Sequence, residues 1–254
     1  MSYLCHITYD ILQLSIQGGF AMQQANYISG LYFHDNLDKD SYLCDLPVIK
    51  YLSKNKELLF SSDVTFFVGE NGTGKSTLLE AIAVAYGLNA EGGSRNFMFS
   101  TNDTHSELWE HLRLSKRDYA ERSFFLRAES LYNAATYMES LGMGGLHQQS
   151  HGESFMSVIQ DFRGKGMYIL DEPEAALSPM RLLTLMAEMN DLVKEGSQFI
   201  IATHSPILMS FPGASVLEFS QSGIKSVDYK ETEHYQITKM FLDNPEKMLH
   251  YLLH

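Results

Sequence analysis

Residues 64–77 read VTFFVGENGTGKST and join an apolar run to a glycine-rich segment. The apolar part, Val64–Val68, is β-branched and aromatic, which is typical of a buried strand. Ser76–Tyr86 follows with leucine and alanine on several faces and predicts a helix. The segment between them matches the pattern G-x4-G-K-[ST], in the strand-to-helix context that this motif requires. The sequence therefore predicts a loop that binds the phosphates of a nucleotide.

The predicted phosphate loop supplies most of the expected nucleotide contacts. Its residues are Gly69, Glu70, Asn71, Gly72, Thr73, Gly74, Lys75, Ser76 and Thr77. Glycines let the backbone wrap closely around an anion, so that successive N–H groups and the start of the next helix point at phosphate oxygens. We expect Lys75 to reach the β- and γ-phosphates and the Ser76 hydroxyl to bind Mg²⁺.

A second apolar run, Met167–Leu170, ends in Asp171-Glu172-Pro173. Two acids after a buried strand lie at the carboxyl edge of the sheet, where α/β proteins bind ligands. Asp171 is placed to hold Mg²⁺, directly or through water, and Glu172 to act as a general base toward the attacking water. The alternative is an acidic strand end in a proline turn with no catalytic role.

A third apolar run, Phe199–Ala202, ends in Thr203-His204-Ser205-Pro206. His204 is expected to hydrogen-bond a γ-phosphate or the water that attacks it. The alternative is a structural histidine at a strand end. Serine followed by proline at 178–179 and again at 205–206 marks two helix starts, the first leading to a helix that ends near Lys194.

The alternation of strands and helices predicts an α/β fold with a largely parallel sheet. We expect one domain over residues 27–254, preceded by an N-terminal extension, 1–26. The remaining predicted elements are strands at Tyr27–His34 and Ser123–Arg127, helices at Leu46–Leu52, Glu107–Ser115, Leu131–Leu141 and Ser154–Phe162, a hairpin of Val216–Phe219 with Ile224–Val227, and amphipathic helices from Thr232.

Composition and charge exclude several classes of protein. Of 254 residues, 44% are hydrophobic and 20% charged, which excludes a disordered or collagen-like chain. The net charge of −12 argues against broad coating of DNA or of an anionic membrane. No run of 18 apolar residues predicts a membrane span, and Cys5 and Cys44 fit no metal or disulfide pattern. A cytoplasmic location is the simplest expectation.

One basic cluster stands out in this acidic chain. It consists of Arg113, Lys116, Arg117, Arg122 and Arg127. These residues could contact nucleic acid or an acidic partner, in which case phosphate contacts would position the protein without reading sequence. Equally, they could form a solvated helix face that balances Glu107, Glu110 and Asp118.

The three motifs, in this order, resemble ABC-type ATPases. The local sequence is similar to that of small stand-alone AAA-like ATPases. These are related to the heads of DNA-repair and chromosome-maintenance ATPases and to those of overcoming-lysogenization-defect nucleases. The similar segments are 64–79, 124–133 (FFLRAESLYN), 150–155 (SHGESF) and 168–179, and the resemblance covers Tyr27 to Phe219. It implies a P-loop NTPase with an ABC-type head, a mixed but mainly parallel sheet and a small helical region at about 105–165.

The resemblance also implies contacts across a dimer. Ser150, His151, Gly152 and Glu153 fall where ABC proteins keep the signature loop, which binds the γ-phosphate of ATP held by the opposite subunit. The usual Leu-Ser-Gly-Gly-Gln is absent, and a plain helix-capping loop is the alternative. Residues 175–178 occupy the place of the D-loop, which contacts the partner's active site.

The place of the glutamine loop shows a clear departure from the family. It holds Arg127-Ala128-Glu129-Ser130, with no glutamine. Glu129 either holds Mg²⁺ through a water or is an acid at the start of a helix. For the adenine, Phe33, His34 and Tyr42 are the candidate contacts.

The resulting prediction is Mg-dependent ATP binding and hydrolysis by a head-to-tail dimer with ATP between its subunits. A non-transport process related to nucleic acid or defence is expected, because the signature and glutamine loops depart from the usual pattern. The 75 residues that separate Lys75 from Ser150 are too few for the long coiled-coil arm of chromosome-maintenance heads. The rival is an ATP-gated regulatory protein that controls a partner effector with little turnover. A transporter nucleotide-binding subunit is the third reading.

Overall fold

The computed structural model describes residues 27–34, 37–38, 40–94, 106–127 and 151–253. Four features predicted from the sequence lie outside these residues. They are the extension 1–26, the helix predicted at Leu131–Leu141, and the side chains of Glu129 and Ser150.

The described strands form a central sheet and a small second sheet. The central strands are β3 (Val64–Gly69), β4 (Gly93–Ser94), β6 (Arg122–Arg127), β7 (Gly166–Asp171), β8 (Gln198–Ala202), β9 (Ser215–Ser220) and β10 (Gly223–Val227). Their order is β10-β9-β3-β8-β7-β6-β4. The five inner strands pair in parallel, whereas β10 and β4 pair antiparallel at the two edges. The predicted mixed, mainly parallel sheet is confirmed.

The strand order brings the three predicted motifs side by side. β3 lies next to β8, and β8 lies next to β7. Because these neighbours are parallel, the segments that follow Gly69, Asp171 and Ala202 all emerge at the same edge of the sheet.

Helices cover both faces of the central sheet. They are α1 (Pro47–Asn55), α2 (Lys75–Tyr86), α3 (His151–Gln160), α4 (Pro179–Lys194) and the short α5 (Pro206–Met209). Side chains of β3 alternate between two cores, so that Phe67 packs with Leu78 and Ile82 of α2, whereas Phe66 packs with Leu185 of α4. Burial on both faces explains why every residue of β3 except Thr65 and Gly69 is a large apolar one.

The small sheet consists of β1 (Ile28–Phe33), β2 (Glu57–Leu59) and β5 (Leu112–Lys116), with β1 in the middle and both pairs antiparallel. A buried glutamine joins it to the central sheet. Gln198 of β8 accepts hydrogen bonds from the backbone N–H groups of Tyr27 and Ile28, each 2.9 Å, and donates to the Ile28 carbonyl at 2.8 Å. The Gln198 side chain thus supplies the hydrogen-bond partners that the buried backbone groups of Tyr27 and Ile28 need between the two sheets.

One predicted helix is wrong. Residues Glu107–Ser115 form a 3₁₀ turn, Glu107–His111, and then enter strand β5. Leu112 and Leu114 alternate with Arg113 and Ser115, and the strand pairs with β1. This alternation is typical of a strand. Pairing with β1 fixes the segment as a strand, although the composition of the preceding turn favours a helix. The region expected to be helical at about 105–165 therefore contains β5 and β6 in its described part.

The remaining elements match their predictions closely. α4 begins at Pro179 and ends at Lys194, although the side chain of Ser178 makes no capping bond within the described part of the chain. α3 begins at His151, three residues before the predicted start at Ser154, so residues 151–153 are helical and do not belong to a loop. The hairpin of β9 and β10 and the helices of the tail are confirmed.

The tail forms α6 (Glu233–Asp243) and α7 (Pro245–Leu253), which contain no buried residue. Thr232 caps α6 and is itself fully buried, donating to the Tyr229 carbonyl at 2.6 Å and lying 3.7 Å from the sulfur of Met209. The first turn of α6 is thereby fixed against α5. None of the described helices has the length and apolar character to cross a membrane.

Candidate functional site

The phosphate loop follows β3 directly, and its backbone admits only glycine at two positions. Gly69 and Gly74 have φ of 131° and 94°. A Cβ on Gly69 would lie 2.0 Å from the Phe219 carbonyl oxygen, and one on Gly74 would lie 2.3 Å from Val48 Cγ1. The loop is therefore held between β9 and α1, and a side chain at either position would displace it.

The loop is preorganised by its own residues. Thr73 Oγ1 donates to the Glu70 carbonyl at 2.8 Å, while the Thr73 carbonyl accepts from Val48 N at 3.3 Å. Glu70, Asn71 and Gly72 at the tip of the loop are exposed, whereas Thr73 and Gly74 are buried. The structure thus brings the residues of the predicted loop together as one turn, with Ser76 and Thr77 half-buried in the first turn of α2.

Lys75 is 5% exposed, and its ammonium group donates to the Gly69 and Glu70 carbonyls at 2.7 and 2.9 Å. Burial lowers its pKa, while the nearby carboxylates of Glu172 and Asp171 act in the opposite direction. The lysine therefore lies within a ring of acidic groups, already pointing into the concave side of the loop.

Asp171 meets Ser76 across the sheet edge. Ser76 Oγ donates to Asp171 Oδ1 at 3.0 Å. A hydroxyl and a carboxylate in contact form the oxygen pair that Mg²⁺ accepts when phosphates and waters complete its coordination. These residues fit magnesium.

Arg127 lies at this site, although its position in the sequence suggested a basic surface cluster. Its Nη1 is 2.8 Å from Glu80 Oε2, and its Nε is 3.7 Å from Asp171 Oδ2. Glu80 also accepts from the Ser106 backbone N–H at 3.1 Å. Sequence reasoning missed Glu80, but a signal was available, since it is the only charged residue within Ser76–Tyr86.

Glu172 has a left-handed backbone, with φ 49° and ψ 53°. A non-glycine residue pays about 1–3 kcal/mol for such a conformation, and it persists where the surroundings hold it. Here the Glu172 N–H donates to the Ala202 carbonyl at 3.0 Å, and Pro173 follows in a 3₁₀ turn. The twist turns the Glu172 side chain away from Asp171 and toward His204, whose Nε2 lies 3.5 Å from Glu172 Oε1.

Glu174 fixes the loop that carries His204. Its Oε1 accepts a hydrogen bond from the His204 backbone N–H. Burial raises the pKa of Glu174, while that hydrogen bond opposes the shift. Sequence reasoning also missed Glu174. The available signal was that residues 171–174 contain a second glutamate after Glu172.

His204 is held in place from its other side by a second histidine. His204 Nδ1 lies 2.8 Å from Nε2 of His234, in the first turn of α6. Burial lowers the pKa of His204, and the positive charge of Lys75 adds to the effect. Both effects favour the neutral form of the ring. Nothing in the sequence of the tail pointed to His234.

The remaining predicted residues lie elsewhere. Gly152 and Glu153 are in the first turn of α3, where Glu153 Oε1 is 3.4 Å from Arg181 Nη2 at the start of α4. Phe33 is 3% exposed and belongs to the core, so its ring is not available to an adenine, whereas Tyr42 is 64% exposed. Of the basic cluster, Lys116 donates to the Ala85 carbonyl at 3.2 Å and lies 5.0 Å from the Tyr86 ring.

Comparison with protein families gives two matches. Residues 48–154 match a model described as an AAA domain. Residues 154–210 match a model described as an AAA domain, putative AbiEii toxin, Type IV TA system. The two matched segments meet at the start of α3 and together contain the phosphate loop, Asp171, Glu172 and His204.

Curated relatives include the ribose import ATP-binding protein RbsA from each of two strains of Bacillus cereus. Each is 25% identical over an alignment that covers 59% of this chain and 36% of the relative. The chain thus spans about a third of the length of the curated relatives it matches.

Similar solved structures include cbiO1 of Clostridium perfringens, part of the ABC transporter complex cbiONQ, at 17% identity and a TM-score of 0.45, covering 90% of this chain and 100% of that one. An inward-facing putative metal-chelate type ABC transporter matches at 15% identity and 0.44, covering 87% and 90%. The SMC head domain of Thermotoga maritima matches at 17% and 0.41, covering 79% and 98%.

The phosphate loop, the parallel strands that bring Asp171 and His204 beside it, and the two AAA-domain matches lead to one assignment. The chain has the phosphate loop and the mainly parallel sheet of a P-loop protein, and its two matched segments are similar to AAA domains.

Proposed function

We propose that the protein binds Mg-ATP and hydrolyses it to ADP and phosphate. The observation that carries the proposal is the convergence of Lys75, the Ser76–Asp171 pair, Glu172 and His204 at the ends of three adjacent parallel strands. The alternative roles raised by the second and third motifs alone, an acidic turn and a structural histidine, do not account for this convergence.

Binding is the task of the loop and its metal pair. Lys75 would exchange its bonds to the Gly69 and Glu70 carbonyls for bonds to phosphate oxygens, helped by the loop N–H groups and the start of α2. Mg²⁺ held by Ser76 and Asp171 would supply positive charge that the acidic surroundings otherwise lack.

Turnover is the task of Glu172 and His204. The Glu172 carboxylate is 41% exposed on the side chain and so can hold a water beside the γ-phosphate. It accepts a proton from that water as the water oxygen bonds to the γ-phosphorus and the bond to the bridging oxygen breaks, releasing ADP. An N–H group at Nε2 of His204 donates a hydrogen bond that stabilises the charge of the transferring phosphoryl group. Positioning and charge compensation carry the rate enhancement.

Phosphate release from Mg-ATP, measured with the wild-type protein, tests this proposal. We expect turnover that Lys75→Ala abolishes and that Lys50→Ala, an exposed lysine on α1, leaves unchanged. Release that survives Lys75→Ala would assign the activity to a contaminant and overturn the proposal.

The working unit is proposed to be a head-to-tail dimer. The tip of the phosphate loop, at Glu70 and Asn71, and the Glu172 side chain are open to solvent on one side, so one protomer does not enclose the nucleotide. In the second protomer, Gly152 and Glu153 at the start of α3, with Ser150 just before them in the sequence, would cover the γ-phosphate. Ala175–Ser178 of the second protomer would contact the same region, and Glu129 of the first protomer would hold Mg²⁺ through a water.

The solution mass of the Glu172→Gln variant tests the dimer. With Mg-ATP we expect a shift from monomer to dimer that Ser150→Arg prevents and that Gln160→Arg, at the far end of α3, does not. A monomer with ATP bound, or a dimer that tolerates Ser150→Arg, would contradict the head-to-tail arrangement.

The process served is proposed to be non-transport and related to nucleic acid or defence, in the cytoplasm. The description of the second family model, which names a toxin of a toxin–antitoxin system, favours this reading. The same description supports the rival, an ATP-gated switch for an effector, which would dimerise tightly with negligible turnover. The curated relatives are import proteins, so a transporter subunit is the third reading.

A further inference from the structure

We propose that His234 is a positioning residue for His204, which it holds in the tautomer that carries its proton on Nε2. The inference rests on the proposed function, because it explains how His204 would act as a donor toward the γ-phosphate. It assigns a role in the ATP site to the C-terminal helix α6.

The geometry allows only one donor between the two rings. His204 Nδ1 and His234 Nε2 are 2.8 Å apart, with ring centroids 4.8 Å apart and planes inclined at 52°. A neutral imidazole carries one N–H donor and one acceptor, so the proton in this bond belongs either to His204 or to His234.

The far side of His204 selects between these two arrangements. Its Nε2 is buried, has no hydrogen-bond partner among the described residues and faces Glu172 Oε1 at 3.5 Å. A lone pair at Nε2 would face a carboxylate, whereas an N–H there is attracted to it and can later donate to a phosphate oxygen. The proton therefore lies on Nε2, Nδ1 accepts, and His234 is the donor.

His234 is itself anchored to the element that follows His204. Thr232 caps α6 and contacts Met209 of α5, and α5 begins at Pro206, two residues after His204. The loop that carries His204 and the turn that carries His234 are thus tied together at two points, the histidine bond and the Thr232 contact. A side chain that donates to a substrate requires a second, rigidly held residue to orient it, and His234 is such a residue for His204.

Long-range ¹H–¹⁵N correlation NMR of the nucleotide-free protein at pH 8 tests the assignment. The His204 signals are identified by their loss in His204→Gln. We expect a protonated, pyrrole-type Nε2 and a pyridine-type Nδ1 in the wild type and in His234→Gln, whose amide can still donate. In His234→Leu, where Glu172 is the one group of the pair that still favours the Nε2 proton, we expect the Nδ1 tautomer to appear as a minor population. A proton on Nδ1 in the wild type, or an unchanged tautomer in His234→Leu, would overturn the proposal.

Steady-state kinetics supplies the second readout. We expect His234→Leu to lower kcat about tenfold, the effect of one lost hydrogen bond, with KM for ATP unchanged. His234→Gln should recover most of kcat, and His250→Leu on α7 serves as the control. Equal loss in His234→Leu and His234→Gln would contradict the positioning role. If the wild type shows no turnover, the proposed hydrolysis fails, while the NMR result still decides the tautomer.

Discussion

The proposed ATP site has two sides that are built in different ways. The phosphate-loop side, Gly69–Thr77, is one continuous segment whose backbone and lysine form the contacts. The acid–histidine side, Glu172, Glu174 and His204, is assembled from segments 30 residues apart, through side chains and a strained backbone at Glu172. The first design suits tight binding of any triphosphate, and the second suits a reaction that depends on exact placement. We therefore expect substitutions on the two sides to separate binding from turnover.

The largest effect is expected on the phosphate-loop side. Lys75→Ala removes a buried ammonium group and the charge-assisted bonds that it is proposed to make to phosphate, so ATP affinity should fall by about 100-fold or more. Titration calorimetry with ATP measures it, with Lys50→Ala as the control. Affinity within threefold of the wild type would show that the loop backbone alone binds the nucleotide.

Arg127 lies beside Asp171, which bonds Ser76 of the phosphate-loop side and precedes Glu172 of the acid–histidine side, and its loss should give an intermediate effect. Arg127→Ala leaves the Glu80 and Asp171 carboxylates without the guanidinium that lies between them. We expect turnover at saturating Mg-ATP to fall about tenfold as Asp171 loses its orientation. Arg127→Lys should recover only part of it, because an ammonium group cannot reach both acids in the same fork geometry. Arg122→Ala, at the opposite end of β6, is the control, and an equal loss there would refute a specific role for Arg127.

The smallest effect is expected at the other end of β3, where Asp63 is far from the phosphate loop along the strand. Burial raises the pKa of Asp63 to about 6, against about 4 for an ordinary aspartate. The folded protein thus binds a proton more tightly than the unfolded chain, so stability is lost as pH rises from about 4 to about 6.

Asp63→Asn should remove this loss. The free energy of unfolding of the variant, relative to the wild type, should rise by about 2 kcal/mol between pH 4 and pH 7, with ATP binding unchanged. Urea denaturation at several pH values measures it, and Asp40→Asn, at an exposed position, should show no such rise. A difference that does not change with pH would show that Asp63 titrates normally.

Sequence reasoning succeeded where local chemistry dictates structure. The phosphate loop, the strand that ends at Asp171 and the capped helix Pro179–Lys194 are each specified by contiguous residues, and the parallel sheet follows from their alternation. The fold class and the positions of Lys75, Ser76, Asp171, Glu172 and His204 in one site were predictable for this reason.

Long-range pairing accounts for what the sequence did not reveal. Strand β5 was predicted as helix because its pairing partner, β1, lies about 80 residues earlier. Glu80, Glu174 and His234 acquire their roles only through contacts with distant residues. Arg127 looked like a surface base because a sequence does not show which strand end a side chain faces. The four side chains, of Glu80, Arg127, Glu174 and His234, are polar, and each is partly buried or bonded to a distant residue. Only the fold reveals this combination.

The central claim is that binding and turnover belong to different sides of one site. The most direct test is to measure ATP affinity and phosphate release on the same preparation of Glu172→Gln. We expect affinity within about threefold of the wild type and phosphate release reduced by about 100-fold or more, because the amide cannot accept the proton of the attacking water. Unchanged phosphate release, or a parallel loss of ATP binding, would contradict this account.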